Sequence, residues 1–195
     1  QIPPPQYQPI RLQATGKSEL KNFTKLEILN QPVFFHGDAF FAGFYLNEIV
    51  LRLCPLEEAM PQTFEQYQLT LLQLQQLASH KQASLFLRQI LRQFEHVLLQ
   101  ELGYAIDFSV DANQQEISPF QQYQFQLNDG FLPVSRASRS TLDGALITSM
   151  QSYEDGQDFS HEQLQLLGKL YRQMISALLG DRPLKSRQLW IQSTQ

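Results

Sequence analysis

The spacing of apolar residues changes near Asp38, and this change limits the fold more than any other feature of the sequence. Before it, between residues 7 and 30, apolar side chains such as Ile10 and Leu12 alternate with polar neighbours, as in a β-strand. After it, apolar residues recur every three or four positions, as in an amphipathic helix. The sequence therefore predicts a mainly α fold, a helical bundle preceded by a short β segment.

Four long helices are predicted from the helical spacing. They span residues 39–53, 61–79, 83–102 and 160–180. Asp38 is expected to cap the first helix, and Thr63 with Gln66 has the spacing of a capping box in the second. Ser160 with Gln163 has the same spacing at the start of the fourth helix. Glycines stand at the ends of the third and fourth helices and are expected to stop them.

Shorter elements are predicted around the fourth helix. Residues 123–134 alternate in polarity on both sides of Asn128-Asp129-Gly130, which predicts a small β-hairpin inserted in the bundle. Ser140 and Asp143 are expected to open a short helix, and Ser186 to start one more helical turn in the tail.

Two regions are predicted on either side of residue 35. Since a pair of strands is marginally stable alone, residues 1–35 are expected to complete a sheet whose other strands precede Gln1. The first residue is Gln rather than Met, which favours a fragment of a longer chain. Residues 36–195 are expected to form the helical domain.

Composition excludes several classes of protein. The one cysteine, Cys54, rules out a disulfide framework and a cysteine-rich zinc site, and it fits a reducing cytoplasm. No run of apolar residues is long enough to span a membrane, and no secretory signal opens the chain. We therefore expect a cytoplasmic protein that does not bind membranes.

The candidate catalytic motifs are incomplete. Gly16-Lys17-Ser18 resembles the end of a phosphate-binding loop but lacks the upstream glycine. His161-Glu162 resembles the start of a zinc-protease helix but lacks the second histidine. A metal-dependent nuclease or phosphoesterase would need clustered acidic and histidine ligands, and the spacing shows no such cluster. The sequence predicts no enzyme, no metal, no cofactor and no small-molecule substrate.

Positive charge is concentrated at the two ends of an acidic chain. The formal net charge is −4, yet residues 1–30 carry +2 and residues 168–195 carry +4. Such ends favour local contact with a polyanion. The candidate phosphate contacts are Lys17, Lys21, Lys25, Lys185 and Arg187.

A cationic row is predicted on the third long helix. Arg88, Arg92 and His96 stand at steps of four and are expected to share a face beside the apolar stripe. One interpretation is a solvated surface on which Glu95 pairs with Arg92. The other is a docking site for a short acidic and aromatic peptide. The spacing alone leaves both open.

Three segments carry a resemblance to a known family. They are Tyr45-Leu46-Asn47-Glu48-Ile49, the run from Phe94 to Phe108 that contains Leu102-Gly103-Tyr104, and Gly180-Asp181-Arg182-Pro183-Leu184-Lys185-Ser186-Arg187. Each is weakly specific, but in this order and spacing they resemble the RecO family of bacterial recombination mediators, from about Pro9 onward.

The resemblance implies an N-terminal OB-fold followed by a helical domain. Residues 1–35 look like only the closing strands of that barrel. Many members of the family carry a four-cysteine zinc site in the region that matches residues 110–139. This chain has no cysteine there, so it resembles the zinc-free branch and metal binding is not expected.

The resemblance also implies a function. Such proteins are non-enzymatic mediators of the RecF pathway, associated with the bacterial nucleoid. They bind single- and double-stranded DNA, anneal strands coated by single-stranded-DNA-binding protein (SSB), and help RecR to load RecA. The alternative is a helical protein-interaction domain with no DNA role of its own.

The family binds the acidic, Phe-ending tail of SSB through a pocket on the helical domain. Arg92 stands at the matching place, with Leu98 and Leu102 as expected apolar neighbours. Arg88 and His96 are further candidates for contact with the peptide.

Overall fold

The computed structural model describes residues 4–17, 21–152, 157–180 and 182–193, and it shows a mainly α protein. Its helices are α1 (Asp38–Leu53), α2 (Pro61–Gln75), α3 (Ala83–Glu101), α4 (Gly144–Thr148), α5 (His161–Leu179) and α6 (Lys185–Ser193). Its strands are β1 (Ile10–Thr15), β2 (Asn22–Ile28), β3 (Gln122–Gln126), β4 (Gly130–Val134) and β5 (Leu142–Asp143). The predicted fold class is confirmed.

β1 and β2 form an antiparallel ribbon in front of the helical body. Ile10 pairs with Ile28 and Leu12 with Leu26, so these four apolar residues share one face. Both strands are exposed along almost their whole length. Within the described part of residues 4–35 these are the only strands, and they do not form a closed barrel. The division into two domains at residue 35 stays a prediction.

The N-terminal segment is attached to α1 at Gly43. The rings of Tyr7 and Phe35 meet edge to face, with centroids 4.8 Å apart. A Cβ atom at Gly43 would lie 2.7 Å from the Tyr7 hydroxyl and 3.2 Å from Phe35. Gly43 therefore lets this aromatic pair approach the helix backbone closely.

The main core lies between α1, α3 and α5. Leu46 and Ile49 of α1, Phe94 of α3 and Leu167 of α5 are fully buried there. Each such side chain contributes roughly 1.5–3 kcal/mol by leaving water. α2 packs on α3, and α6 packs on α1. No described helix has the length and apolar character that crossing a bilayer requires.

The β insert is the hairpin predicted from its turn sequence, extended by one short strand. β3 pairs with β4 on one side and with β5 on the other, all antiparallel. Tyr123, Phe125 and Phe131 turn inward and are buried. β5 was not predicted, because two residues are too few to show an alternating pattern.

One predicted capping box is confirmed. The Ser160 hydroxyl accepts a hydrogen bond from the Gln163 amide, and the Gln163 side chain accepts one from the Ser160 amide. α5 therefore begins where the sequence indicates. Asp143, which was expected to help open the short helix, caps α4 through the Ala145 amide.

Three other helix starts differ from the prediction, and at α2 and α6 a carboxylate of a distant helix binds the first amides. α1 begins at Asp38 after Gly37, and the Asp38 carboxylate binds Trp190 instead of capping the helix. At α2, Glu101 of α3 accepts hydrogen bonds from the amides of Gln62 and Thr63. The expected cap at Thr63 is therefore wrong.

The tail helix also starts differently from the prediction. α6 has nine residues rather than one turn. It begins at Lys185 rather than Ser186, and the amides of both residues donate to Glu48 of α1.

Candidate functional site

A cavity of about 200 Å³ opens where α1, α3, α5 and α6 meet, and we call it the Arg92 cavity. Its apolar and aromatic walls are Tyr45, Leu91, Ile175, Leu184 and Trp190. Its charged lining is Arg92, Glu95, Arg172 and Arg187. With three guanidinium groups against one carboxylate, the cavity attracts anions in a chain that is acidic overall.

The inner part of the cavity is a network around Glu95. Arg92 and Glu95 are three residues apart on α3, so their side chains meet, and Arg92 Nη2 donates to Glu95 Oε1 over 2.6 Å. Tyr45 of α1 donates its hydroxyl to the same oxygen over 2.5 Å. Glu95 is 1% exposed, and its other oxygen has no hydrogen-bond partner among the described residues. This network fixes the Arg92 guanidinium at the cavity.

Burial governs the protonation of this network. It raises the pKa of Glu95, although Arg92, the Tyr45 hydroxyl and Arg172 act in the opposite direction. Burial and the nearby Glu95 charge raise the pKa of Tyr45 well above its ordinary value. Tyr45 therefore stays a neutral hydrogen-bond donor. Arg92 uses one N–H group on Glu95 Oε1, and a guanidinium has five, so further donors are available to a ligand.

The outer wall of the cavity is the short helix α6. Trp190 stacks on Phe41 of α1 with ring centroids 6.0 Å apart and planes 14° apart. Its indole N–H donates to Asp38 Oδ1 over 3.2 Å. Arg187, one turn earlier, also lines the cavity.

The predicted cationic row is wrong as a single surface. Arg92 lines the cavity, whereas Arg88 is exposed and lies near His161 in another depression. His96 Nδ1 and the Tyr171 hydroxyl share a hydrogen bond of 2.8 Å, and His96 lines the cleft between α2 and α3. The reason is geometric: each step of four turns roughly 40° and rises roughly 6 Å along α3, so each of the three residues meets a different neighbouring part of the fold.

The expected apolar neighbours of Arg92 are also wrong. Leu98 is fully buried in the core and Leu102 is half-buried against it, and neither lines the cavity. Leu98 lies six residues after Arg92, which places it roughly 240° around the helix. Leu91 and Ile175 line the cavity instead, and only the packing of α3 on α5 reveals this pair.

The predicted phosphate contacts are divided between two places. Lys17 and Lys25 are exposed on the ribbon, and Lys21 Nζ pairs with Glu57 over 2.8 Å. Lys185 is exposed at the start of α6, while Arg187 lines the Arg92 cavity. Their contact with DNA stays a prediction.

No group of three or more histidine, cysteine, aspartate or glutamate side chains is placed to hold a metal ion in the described part of the chain. In residues 110–139, the Asp111 carboxylate instead accepts hydrogen bonds from the amides of Asn113 and Gln115 and closes a tight turn.

The fold and cavity define a helical domain with a small β insert and a cavity lined by three arginines, behind an exposed β-ribbon. Residues 35–188 match the family described as Recombination protein O C terminal. The chain is 35% identical over 188 residues to DNA repair protein RecO of Pseudoalteromonas translucida, which covers 96% of this chain and 76% of that relative.

Two further relatives have the same name and a similar identity to this chain. Identity is 35% over 183 residues to DNA repair protein RecO of Pseudomonas putida strain W619, covering 93% of this chain and 76% of the relative. It is 33% over 183 residues to that of Pseudomonas aeruginosa strain LESB58, covering 94% and 74%. The chain therefore belongs to the RecO family of DNA repair and recombination proteins.

Proposed function

We propose that this chain is a recombination mediator whose helical domain binds the acidic, Phe-ending tail of SSB in the Arg92 cavity. The observation that carries the proposal is the placement of Arg92. Its side chain is 18% exposed, it is fixed by a buried carboxylate, and it lies among aromatic and aliphatic walls. A terminal carboxylate can accept two hydrogen bonds from a guanidinium while those walls take the ring beside it.

The surplus of positive charge in the cavity supports this assignment. Arg172 and Arg187 lie beside Arg92 and attract the acidic residues of such a tail before it docks. Tyr45 and Trp190 are the side chains able to pack against an aromatic ring.

The DNA part of the function is assigned to the ribbon and to Lys185. Exposed Lys17 and Lys25 can contact phosphates without reading sequence. Membership in the family supports strand annealing and the loading of RecA with RecR, and we propose both for this chain acting together with those partners.

The alternative is a protein-interaction domain without a DNA role. The structure contains a formed cavity that fits a peptide, whereas the candidate DNA contacts on the ribbon are separate exposed lysines. This difference favours the alternative. Binding of single-stranded DNA to the chain, measured at low salt, separates the two. Absence of DNA binding would leave only the alternative.

Calorimetry with a peptide ending in Asp-Phe-Pro-Phe tests the docking site. Arg92→Ala should weaken binding by about 1.5–3 kcal/mol, the loss expected for a charge-assisted hydrogen bond. Arg92→Lys should recover only part of it, because an ammonium cannot make the two-pronged contact. Arg88→Ala on the same helix is the matched control and should bind as the wild type does. Equal binding by the wild type and Arg92→Ala would contradict the proposal.

A further inference from the structure

The wall of the cavity formed by α6 is anchored to α1 by one carboxylate. Glu48 Oε1 accepts a hydrogen bond from the Lys185 amide over 2.9 Å. Glu48 Oε2 accepts from the Ser186 amide over 2.8 Å and from the Ser186 hydroxyl over 2.7 Å. The first amides of a helix have no partner within it, so Glu48 caps α6 from another helix.

Arg52, one turn after Glu48, binds the chain that leads into α6. Its Nη1 lies 3.3 Å from Glu48 Oε1 and donates to the Pro183 carbonyl over 3.2 Å. Its Nη2 donates to the Arg182 carbonyl over 2.5 Å. We call Glu48, Arg52 and Ser186 the α6 latch. Burial alone would raise the pKa of Glu48, but the bonds from Ser186, Lys185 and Arg52 outweigh it and lower the pKa.

The latch holds the start of α6 on α1, and Trp190 adds a second attachment further along the helix through Phe41 and Asp38. α6 has nine residues, and Ser186 is the residue among them that is buried. A helix this short is marginal on its own in water. The residues that it brings to the cavity, Arg187 and Trp190, lie within four positions of Ser186.

We propose that Glu48 is a positioning residue for peptide binding: through the latch it holds α6 on α1, so that Arg187 and Trp190 close the cavity beside Arg92. Glu48 does not line the cavity itself. It acts on affinity only through the position of α6. This inference rests on the proposed function.

The fluorescence of a single tryptophan can show whether α6 lies on α1. Trp190 is the one tryptophan in the chain, and it lies on α6 against Phe41. Its emission therefore reports whether α6 is docked, with no peptide present.

The test compares Glu48→Gln, Glu48→Asp and the wild-type chain. The matched control is Glu65→Gln, which makes the same charge change at an exposed site on α2. In Glu48→Gln a side-chain N–H₂ group replaces one of the two carboxylate oxygens. It cannot accept the hydrogen bonds that Lys185 and Ser186 donate, so α6 should detach from α1. Trp190 emission should shift to the red, and acrylamide should quench it more strongly.

The peptide ending in Asp-Phe-Pro-Phe should bind Glu48→Gln about tenfold more weakly, the loss expected if α6 stays docked in roughly a tenth of the molecules. Glu48→Asp, which keeps the charge, should recover part of the affinity. The Tm should change little, because the core between α1, α3 and α5 is untouched. Glu65→Gln should match the wild type in Trp190 emission, acrylamide quenching, peptide affinity and Tm.

Two results would overturn the inference alone: unchanged peptide affinity in Glu48→Gln, or unchanged Trp190 emission. Absence of binding by the wild-type chain would instead remove the proposed function, and the inference with it. Should Glu48→Gln unfold the whole domain, Ser186→Ala decides. It removes one hydroxyl contact and should weaken binding about threefold by the same population argument; unchanged affinity there would contradict the inference.

Discussion

The Arg92 cavity and the β1–β2 ribbon both present positive charge, but they are built in opposite ways. In the cavity the Arg92 side chain is 18% exposed and its partner Glu95 is 1% exposed. On the ribbon the side chain of Arg11 is 65% exposed and its partner Glu27 is 46% exposed. A charge fixed in a concave site can select a ligand by shape, whereas exposed charges attract any polyanion. Selective binding is therefore expected in the helical body and non-selective binding on the ribbon.

The first prediction compares the loss of stability when an apolar residue is removed from each region, and it is the largest expected effect. Phe94 is fully buried on α3, the helix that carries Arg92, and Phe23 on the ribbon is 71% exposed. Phe94→Ala should destabilise the chain by about 3–5 kcal/mol, because it removes buried contacts and leaves a cavity. Phe23→Ala should change stability by no more than about 0.5 kcal/mol. Urea unfolding of both variants checks this, and equal losses would break the comparison.

The helical body was largely predictable from the sequence, and the reason is that its signals are local. Apolar spacing gave the long helices, and the capping box at Ser160 lies within four residues. The starts of α2 and α6 were not predictable, because Glu101 and Glu48 complete them from other helices.

The cavity was only partly predictable, because most of its lining comes from helices that are far apart in the sequence. Arg92 was found from the row on α3 and from the resemblance, but apart from Leu91 and Glu95 its neighbours in the cavity lie outside α3. Tyr45 and Arg187 stand in segments that carried the resemblance, yet nothing in their local spacing indicates that they meet. Arg172 and Trp190 carry no sequence signal for the site.

The second prediction concerns the pH dependence of stability that the buried Glu95 causes. Burial raises the pKa of Glu95 above its ordinary value of 4.5, so its contribution to stability is complete at low pH and is lost as the pH rises through the raised pKa. Glu95→Gln should therefore gain stability relative to the wild type as the pH rises above 4.5. Urea midpoints of the wild type and of Glu95→Gln across that range test this, and a difference that does not change with pH would contradict it.

The third prediction is a smaller effect on DNA binding. Affinity of the chain for single-stranded DNA should be weak and should fall steeply with added salt. Lys25→Ala on the ribbon should reduce the slope of log affinity against log salt by about one, and Arg92→Ala should leave that slope unchanged. A titration at several salt concentrations measures it. Tight binding that ignores salt, or an equal effect of the two variants, would remove the contrast between ribbon and cavity.

The central claim is that Arg92 meets the terminal carboxylate of a partner peptide. A double-mutant cycle isolates that contact: calorimetry of the wild type and Arg92→Ala, each with the free-acid and the C-terminally amidated peptide ending in Asp-Phe-Pro-Phe. Each single change should cost about 1.5–3 kcal/mol, and the two together should cost little more than one alone, since both remove the same pair. The same cycle with Arg88→Ala should show no coupling. Additive losses from Arg92→Ala and amidation would show that the carboxylate does not meet Arg92 and would contradict the account.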